Sequence, residues 1–214
     1  MKTSLKAVSI VLALGVASCS SPSKKDNNEG SAKEANSCVV ELQNEGKTAF
    51  TSYKTNDKVA VGGEFKDVEF MFPNNGKSLT ESLEGAQVRI ATNSVNTGDS
   101  IRDGHIRNYF FGTMKGGDAM KGEVKSVTGN EEAGELSVFF NLNGLGENLK
   151  LSYAVEENTL VLLGTIDLEM WNALSSLASL NEQCFDLHKG PDGDSKLWQT
   201  VDVRIEIGLN KEDC

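Results

Sequence analysis

The stretch Val201–Leu209, VDVRIEIGL, alternates: Val201, Val203, Ile205, Ile207 and Leu209 point one way, and Asp202, Arg204 and Glu206 point the other. A period of two marks a strand with one buried and one wet face. Working outward, Leu149, Leu151, Tyr153 and Val155 alternate with Lys150, Ser152 and Glu156, and Glu157-Asn158 then turns the chain into a strand that begins near Thr159. That is a hairpin signal. Further strands are expected at 47–55, 58–65, 67–72, 86–92, 121–129 and 135–142, separated by Gly and Asn clusters. The total of about eight or nine short strands predicts an all-β fold, an antiparallel sandwich or closed barrel. A barrel of about eight strands either fills with its own side chains or holds one small ligand.

One strand carries more apolar surface than a single face needs. Leu160–Leu168, LVLLGTIDL, is apolar on both faces over Leu160–Leu163, which predicts an outer cover. The 168–186 stretch offers a helical insertion for this, with Leu174, Leu177, Ala178 and Leu180 on one stripe and Asp167 as N-cap.

The chain has 214 residues, 21 Lys plus Arg against 31 Asp plus Glu, a net charge of −10 and 38% hydrophobic residues, which fits one globular domain. The acidic balance excludes nucleic acid as the main partner, because phosphate binding needs a basic stripe. The N-terminus places Lys2 and Lys6 before an apolar run from Ala7 to Val16, which reads as a signal peptide over 1–18. Its end, Val16-Ala17-Ser18-Cys19, resembles the lipobox of bacterial lipoproteins, so Cys19 is the expected lipid anchor and route to the membrane. Loss of Lys2 and Lys6 with the signal takes the charge from −10 to −12, so the anchor rather than the domain must hold the membrane. Residues 19–37 lack large apolar side chains and read as a flexible tether, leaving the folded domain at 38–214. Ser20 after the cysteine resembles outer-membrane sorting patterns. The expected place is the cell envelope, at the outer membrane, facing the periplasm or the cell surface.

The segment Gln87–Gly112, QVRIATNSVNTGDSIRDGHIRNYFFG, is the most specific in the chain. A strand ends near Thr92, and Asp99–Asn108 forms a short charged helix or loop before Phe110 and Phe111. Ser94, Thr97, Gly98, Arg102, Asp103, His105, Ile106, Arg107, Phe110 and Phe111 resemble the hallmark stretch of the YceI-like family of lipid-binding proteins. The upstream VGGEFKDVEFMF, with Gly63 and Phe65, is similar to that family's strand pair, although the family's usual Tyr-Pro after the Phe pair is missing. The resemblance implies a lipocalin-like antiparallel β-barrel around an apolar pocket for an isoprenoid or fatty-acyl amphiphile, with no other cofactor. It makes Arg102, Asp103, His105, Phe110 and Phe111 the candidate ligand-binding residues. Arg102 and His105 would stand at the mouth, Arg102 holding a phosphate with Asp103 orienting it. Alternatively Arg102 and Asp103 form a buried pair that fixes the helix to the barrel. If the Phe pair alternates as in a strand, one ring at most faces the interior.

Four cysteines are present, and after lipidation of Cys19 a Cys38–Cys184 disulfide is the expected pairing, with Cys214 as competitor. Two His residues and no C-x-x-C argue against a metal site, and Pro191–Lys196, PDGDSK, lacks the spacing of a calcium loop. No common hydrolase, protease or nucleotide-binding motif occurs, so a carrier rather than an enzyme is expected. The rivals are a filled barrel whose loops bind a protein, and an enzyme with His105 as base. Whether the barrel forms a homodimer stays open.

Overall fold

The computed structural model describes residues 39–73 and 76–212. Ten antiparallel strands form one sheet: β1 (Val39–Lys54), β2 (Val59–Phe65), β3 (Val68–Met71), β4 (Gln87–Ala91), β5 (Val95–Asn96), β6 (Ala119–Gly129), β7 (Ala133–Leu142), β8 (Leu145–Glu156), β9 (Thr159–Asp167) and β10 (Thr200–Glu212). Their order is β3-β4-β6-β7-β8-β9-β10-β1-β2-β5. The sheet curls into a half-barrel. The expected barrel class therefore holds, with two short strands, β3 and β5, at the sheet edges. The signal peptide, tether, Cys19, Cys38 and Cys214 lie outside the described residues.

The two hairpins at β7–β8–β9 follow from local chemistry. Asn143 (φ 52°) and Gly144 (φ 71°) take the two left-handed positions that a tight turn between twisted strands requires. Glu157 (φ 56°) opens the expected turn into β9, pairing Glu156 with Thr159 and Val155 with Leu160. The alternation of β10 also holds, since Ile205, Ile207 and Leu209 are buried while Val201 and Val203 are half-buried.

Curling depends on β1, which pairs with β10 from Val39 to Thr51 and with β2 over Thr48–Lys54. Its register against β10 shifts between Leu42 and Gly46, so extra residues bulge and bend the strand. At Gly46 the neighbouring chain comes so close that a Cβ would stand 2.7 Å from the Glu206 carbonyl oxygen and 3.0 Å from the Phe70 ring. Past the bend, Val40 N–H donates to the Gly76 carbonyl at 3.1 Å, which brings the β3 side of the sheet back to β1.

The lower half of the interior is filled. Val40, Leu42, Leu136, Leu160, Ile207 and Leu209 pack there with Leu79 and Leu83 of the short helix α1 (Leu79–Leu83). Ser78 caps this helix by accepting from Glu81 N–H, and the buried Ser82 hydroxyl donates to the Val40 carbonyl at 3.0 Å. Helix α1 therefore plugs the lower end.

The insertion departs from expectation. Helix α3 spans Leu174–Gln183, its N-cap is Ala173 without a side-chain bond, and Asp167 instead accepts from Glu169 N–H and Gln199 Nε2. It packs on the 106–113 segment over the upper opening rather than on β9. Leu163 is correspondingly left 45% exposed. Among the described residues no helix is long and apolar enough to cross a membrane.

Gly46→Val should cost about 1–3 kcal/mol or prevent folding, because the added atoms meet backbone. Chemical denaturation measures this. A variant as stable as the parent would show that the bend is not fixed by that close approach.

Candidate functional site

The upper half of the half-barrel is hollow. The cavity has a volume of about 160 Å³, and among the described residues no charged side chain lines it. The polar residues among those described in its lining are Thr48, Ser52, Tyr53 and Trp198, set in a wall of aliphatic and aromatic residues. Ser52 donates to the Val61 carbonyl, and the Tyr53 hydroxyl donates to Asp202 at 2.6 Å. That bond, with a second from the Thr165 hydroxyl, holds the Asp202 carboxyl below the usual carboxylate range.

One wall is made by the segment singled out in the sequence. Gly98 takes φ 77°, which only glycine adopts freely. Thr97 then donates to Asp103 Oδ1 with both its N–H (2.8 Å) and its hydroxyl (2.7 Å). Asp99 caps the helix α2 (Ser100–His105) by accepting from Ile101 N–H and Arg102 N–H. Those backbone bonds, Arg102's first, hold the Asp99 carboxyl low. The chain continues from α2 into a π-helical turn, Ile106–Phe110, and a 3₁₀ turn, Phe111–Thr113.

This helical path changes the reading of the Phe pair. Adjacent helical residues differ by roughly 100° rather than the strand's 180°, so Phe110 and Phe111 both line the cavity together with Ile106. Phe111 continues an aromatic chain: Phe110–Phe111 at 5.0 Å, Phe111–Phe65 at 6.1 Å and Phe65–Phe50 at 5.5 Å between ring centres. Arg102 and Asp103 do not line it. Arg102 reaches Asp99 at 3.5 Å on the surface, and Asp103, buried, is committed to Thr97. The motif thus works as a clamp that aims the aromatic turn inward.

His105 also serves the frame. Its Nδ1 lies 3.1 Å from Cys184 Sγ, which joins α2 to the end of α3. Cys184 is a buried free thiol whose pKa is pushed up by burial, so the expected Cys38–Cys184 disulfide is not formed at this residue. Cys38 lies outside the described residues, and the Cys184 thiol meets His105 instead.

Several lining residues were not read from the sequence as part of the site. Leu177 and Leu180 of α3 face the cavity, and so do Leu197 and Trp198, which precede β10. Trp198 is anchored by bonds from its N–H to the Tyr53 carbonyl and from Nε1 to the Thr55 carbonyl. Lys58 and Lys196 stand over its ring at 4.2 and 3.8 Å. The i, i+3 spacing of Leu177 and Leu180 announced an apolar helix face, and the isolated Leu197-Trp198 pair was the only trace of the rim. A second hollow of about 420 Å³, lined by Thr92, Asn93, Arg107 and Asp118, is open and of mixed polarity. The apolar cavity is the stronger site because its walls are continuous and uncharged. Among the described residues no three His, Cys, Asp or Glu side chains come together to hold a metal.

The model of the YceI-like domain family matches residues 40–209. Among solved structures, the chain is similar to a polyisoprenoid binding domain from Saccharophagus degradans implicated in plant cell wall breakdown, with 16% identity and a TM-score of 0.57 over 82% of this chain and 99% of that one. It is similar to Burkholderia cenocepacia BcnA, with 13% identity and a TM-score of 0.57 over 79% and 99%. The Campylobacter jejuni YCEI protein gives 20% identity and a TM-score of 0.51 over 71% and 85%. At these identities the structural likeness is one of fold. No curated protein matches the chain.

The closing helix carries a pH dependence. Its Asn181 accepts from His188 at 3.0 Å, and burial first, then the charges of Lys54 and His105, lowers the His188 pKa from 6.5 to about 4. Between those values the unfolded chain binds a proton that the folded chain refuses, so this contribution makes stability fall as pH drops from about 6.5 to 4. Thermal unfolding should show a lower midpoint at pH 5 than at pH 7, and His188→Gln should narrow the gap. An undiminished gap in the variant would assign the effect to another group.

Proposed function

Because the chain belongs to the YceI-like domain family, a family of binding proteins, we propose that it binds and carries an amphiphilic isoprenoid or fatty-acyl lipid in the upper cavity. The observation that supports this most is the wall itself, continuous from Phe50 through Phe111 to Leu180 and free of charge. Burying hydrocarbon against such a wall is worth about 25 cal/mol per Å². The polyisoprenoid-binding title of the Saccharophagus relative points to the same ligand chemistry. A filled barrel that binds only protein partners is disfavoured by the hollow upper half.

The cavity of about 160 Å³ is close to the roughly 150 Å³ that takes up one benzene in an engineered protein core. It holds the first part of a chain. Longer ligands need α3 or the Leu197-Trp198 segment to move outward, and both are joined to the sheet by a few bonds rather than by a strand ladder.

The carrier acts in the cell envelope, at the outer membrane and facing the periplasm or the surface, tethered through an acylated Cys19. Support for this part comes from the sequence alone: Lys2 and Lys6, the Ala7–Val16 run and the lipobox-like end. No chemical step is assigned to the site, since His105 is held against Cys184 and among the described residues no carboxylate, His, Cys, Lys or Arg lines the cavity.

Titration with cis-parinaric acid, whose emission rises in apolar surroundings, should give saturable binding to the full chain. Val203→Phe, which adds a ring on the half-buried cavity wall, should reduce that binding at least tenfold with the fold retained by circular dichroism. Equal binding by both proteins would place the lipid elsewhere. Cys19→Ser should abolish incorporation of a labelled fatty acid and release the protein from the membrane fraction. Continued labelling would refute the anchor.

A further inference from the structure

The second hollow, of about 420 Å³ and open to solvent, differs in chemistry from the apolar cavity, with Phe111 in the lining of both. Thr92 and Asn93 line it, together with Arg107, Phe111, Gly112 and Met114 of the helical turns and with Gly116, Gly117 and Asp118 before β6. Hydrogen bonds fix this frame. The Thr92 hydroxyl donates to the Gly117 carbonyl at 2.5 Å, Thr92 N–H donates to the Asp118 carbonyl at 3.1 Å, and Met114 N–H donates to the Phe111 carbonyl at 3.0 Å. Gly117 comes so close to the aromatic turn that a Cβ there would strike the Phe111 carbonyl.

Within this frame Arg107 is the exception among the arginines. Arg89 reaches Glu69, Arg102 reaches Asp99, and Arg204 reaches both Glu156 and Glu206. Arg107 is half-buried, yet its guanidinium pairs with no carboxylate among the described residues, in a chain with 31 Asp plus Glu against 21 Lys plus Arg. A guanidinium that gives up part of its water without gaining a counter-charge costs stability, and its planar fork of donors matches the oxygens of a carboxylate or phosphate. Asp118 lines the same hollow, exposed, and its carboxylate bonds to no other described residue. The Asn93 side chain is unengaged in the same way. One cation and one anion therefore line a single hollow without joining each other. A lone oxyanion would meet Arg107 and be repelled by Asp118, and a lone amine would meet the reverse, whereas a ligand carrying both charges satisfies both residues.

We propose that this hollow is a second binding site, for a small zwitterion with an oxyanion and a primary ammonium on a short carbon skeleton. Arg107 holds the oxyanion with Asn93 as a further donor, Asp118 holds the ammonium, and Phe111 and Met114 cover the carbon. Two sources share this chemistry: a free α-amino acid and the ethanolamine phosphate headgroup of a phospholipid. The site is separate from the apolar cavity, so the inference does not rest on the lipid-binding reading.

Isothermal titration of the full protein with O-phosphoethanolamine, L-alanine, inorganic phosphate and ethanolamine tests it. At least one of the two zwitterions should bind roughly tenfold more tightly than phosphate or ethanolamine, and the tighter of the two tells headgroup from amino acid. Arg107→Gln should weaken that zwitterion roughly tenfold. Asp118→Asn should weaken it too while strengthening phosphate, a reversal that a merely structural role would not produce. Both variants should keep the parent's unfolding temperature and its affinity for cis-parinaric acid. Zwitterions that bind no better than phosphate, or that bind Arg107→Gln as tightly as the parent, would overturn this site and leave the lipid-binding reading standing. An Asp118→Asn protein with the parent's preference would overturn the ammonium contact and with it the zwitterion.

Discussion

The bend of β1 at Gly46 is the constraint on which the remaining structure depends. A strand this long would run straight past its neighbours if it kept one register. By bulging between Leu42 and Gly46 it shifts register against β10 while staying paired with it on both sides of the bend, and from Thr48 onward it also ladders with β2. The lower part then meets Gly76, and the interior closes around Leu42, Ile207 and Leu209. The upper part, over Thr48–Thr51, is paired with both β10 and β2 and contributes to the cavity wall. Filled floor and hollow top are thus two consequences of one local change of direction, and Gly46 permits it because any side chain there would meet the Glu206 carbonyl.

The hollow part is closed by helical segments that the sheet positions but does not make. Thr97, Gly98, Asp99 and Asp103 convert the end of β5 into a fixed start for α2, and the π-helical turn that follows delivers Ile106, Phe110 and Phe111 to the cavity. Helix α3 leans on that turn through Cys184 and His105 and contributes Leu177 and Leu180. Polar bonds stay behind the wall, while apolar side chains form its surface. This separation lets a strongly acidic protein keep an uncharged interior.

The strands were legible because their chemistry is local: alternation in Val201–Leu209 and Leu149–Val155, and a two-residue turn at Glu157-Asn158, need no distant partner to be recognised. The Gly46 bulge was not, because a bulge changes register against another strand and leaves no mark in one strand's own period. The Phe pair was read as alternating, yet its geometry follows from a helical turn set by Asp99 and Asp103 upstream. Charged residues in the motif suggested a headgroup site; in the fold Arg102 reaches Asp99, Asp103 holds Thr97 and His105 meets Cys184. The helical stripe of the insertion was visible, whereas its docking surface was not: hydrophobic spacing shows that a face must be covered without saying by what. Cys184 was expected in a disulfide and is a free thiol, since count and compartment say nothing of where a partner stands.

The most direct test of the central claim is native mass spectrometry of the full chain purified from its own envelope, followed by solvent extraction of whatever travels with it. The account predicts a single adduct of amphiphilic isoprenoid or fatty-acyl lipid, one per chain, that is lost on denaturation and is absent from Val203→Phe. A protein that leaves its envelope bare, and stays bare when offered isoprenoid and fatty-acyl lipids, would contradict it.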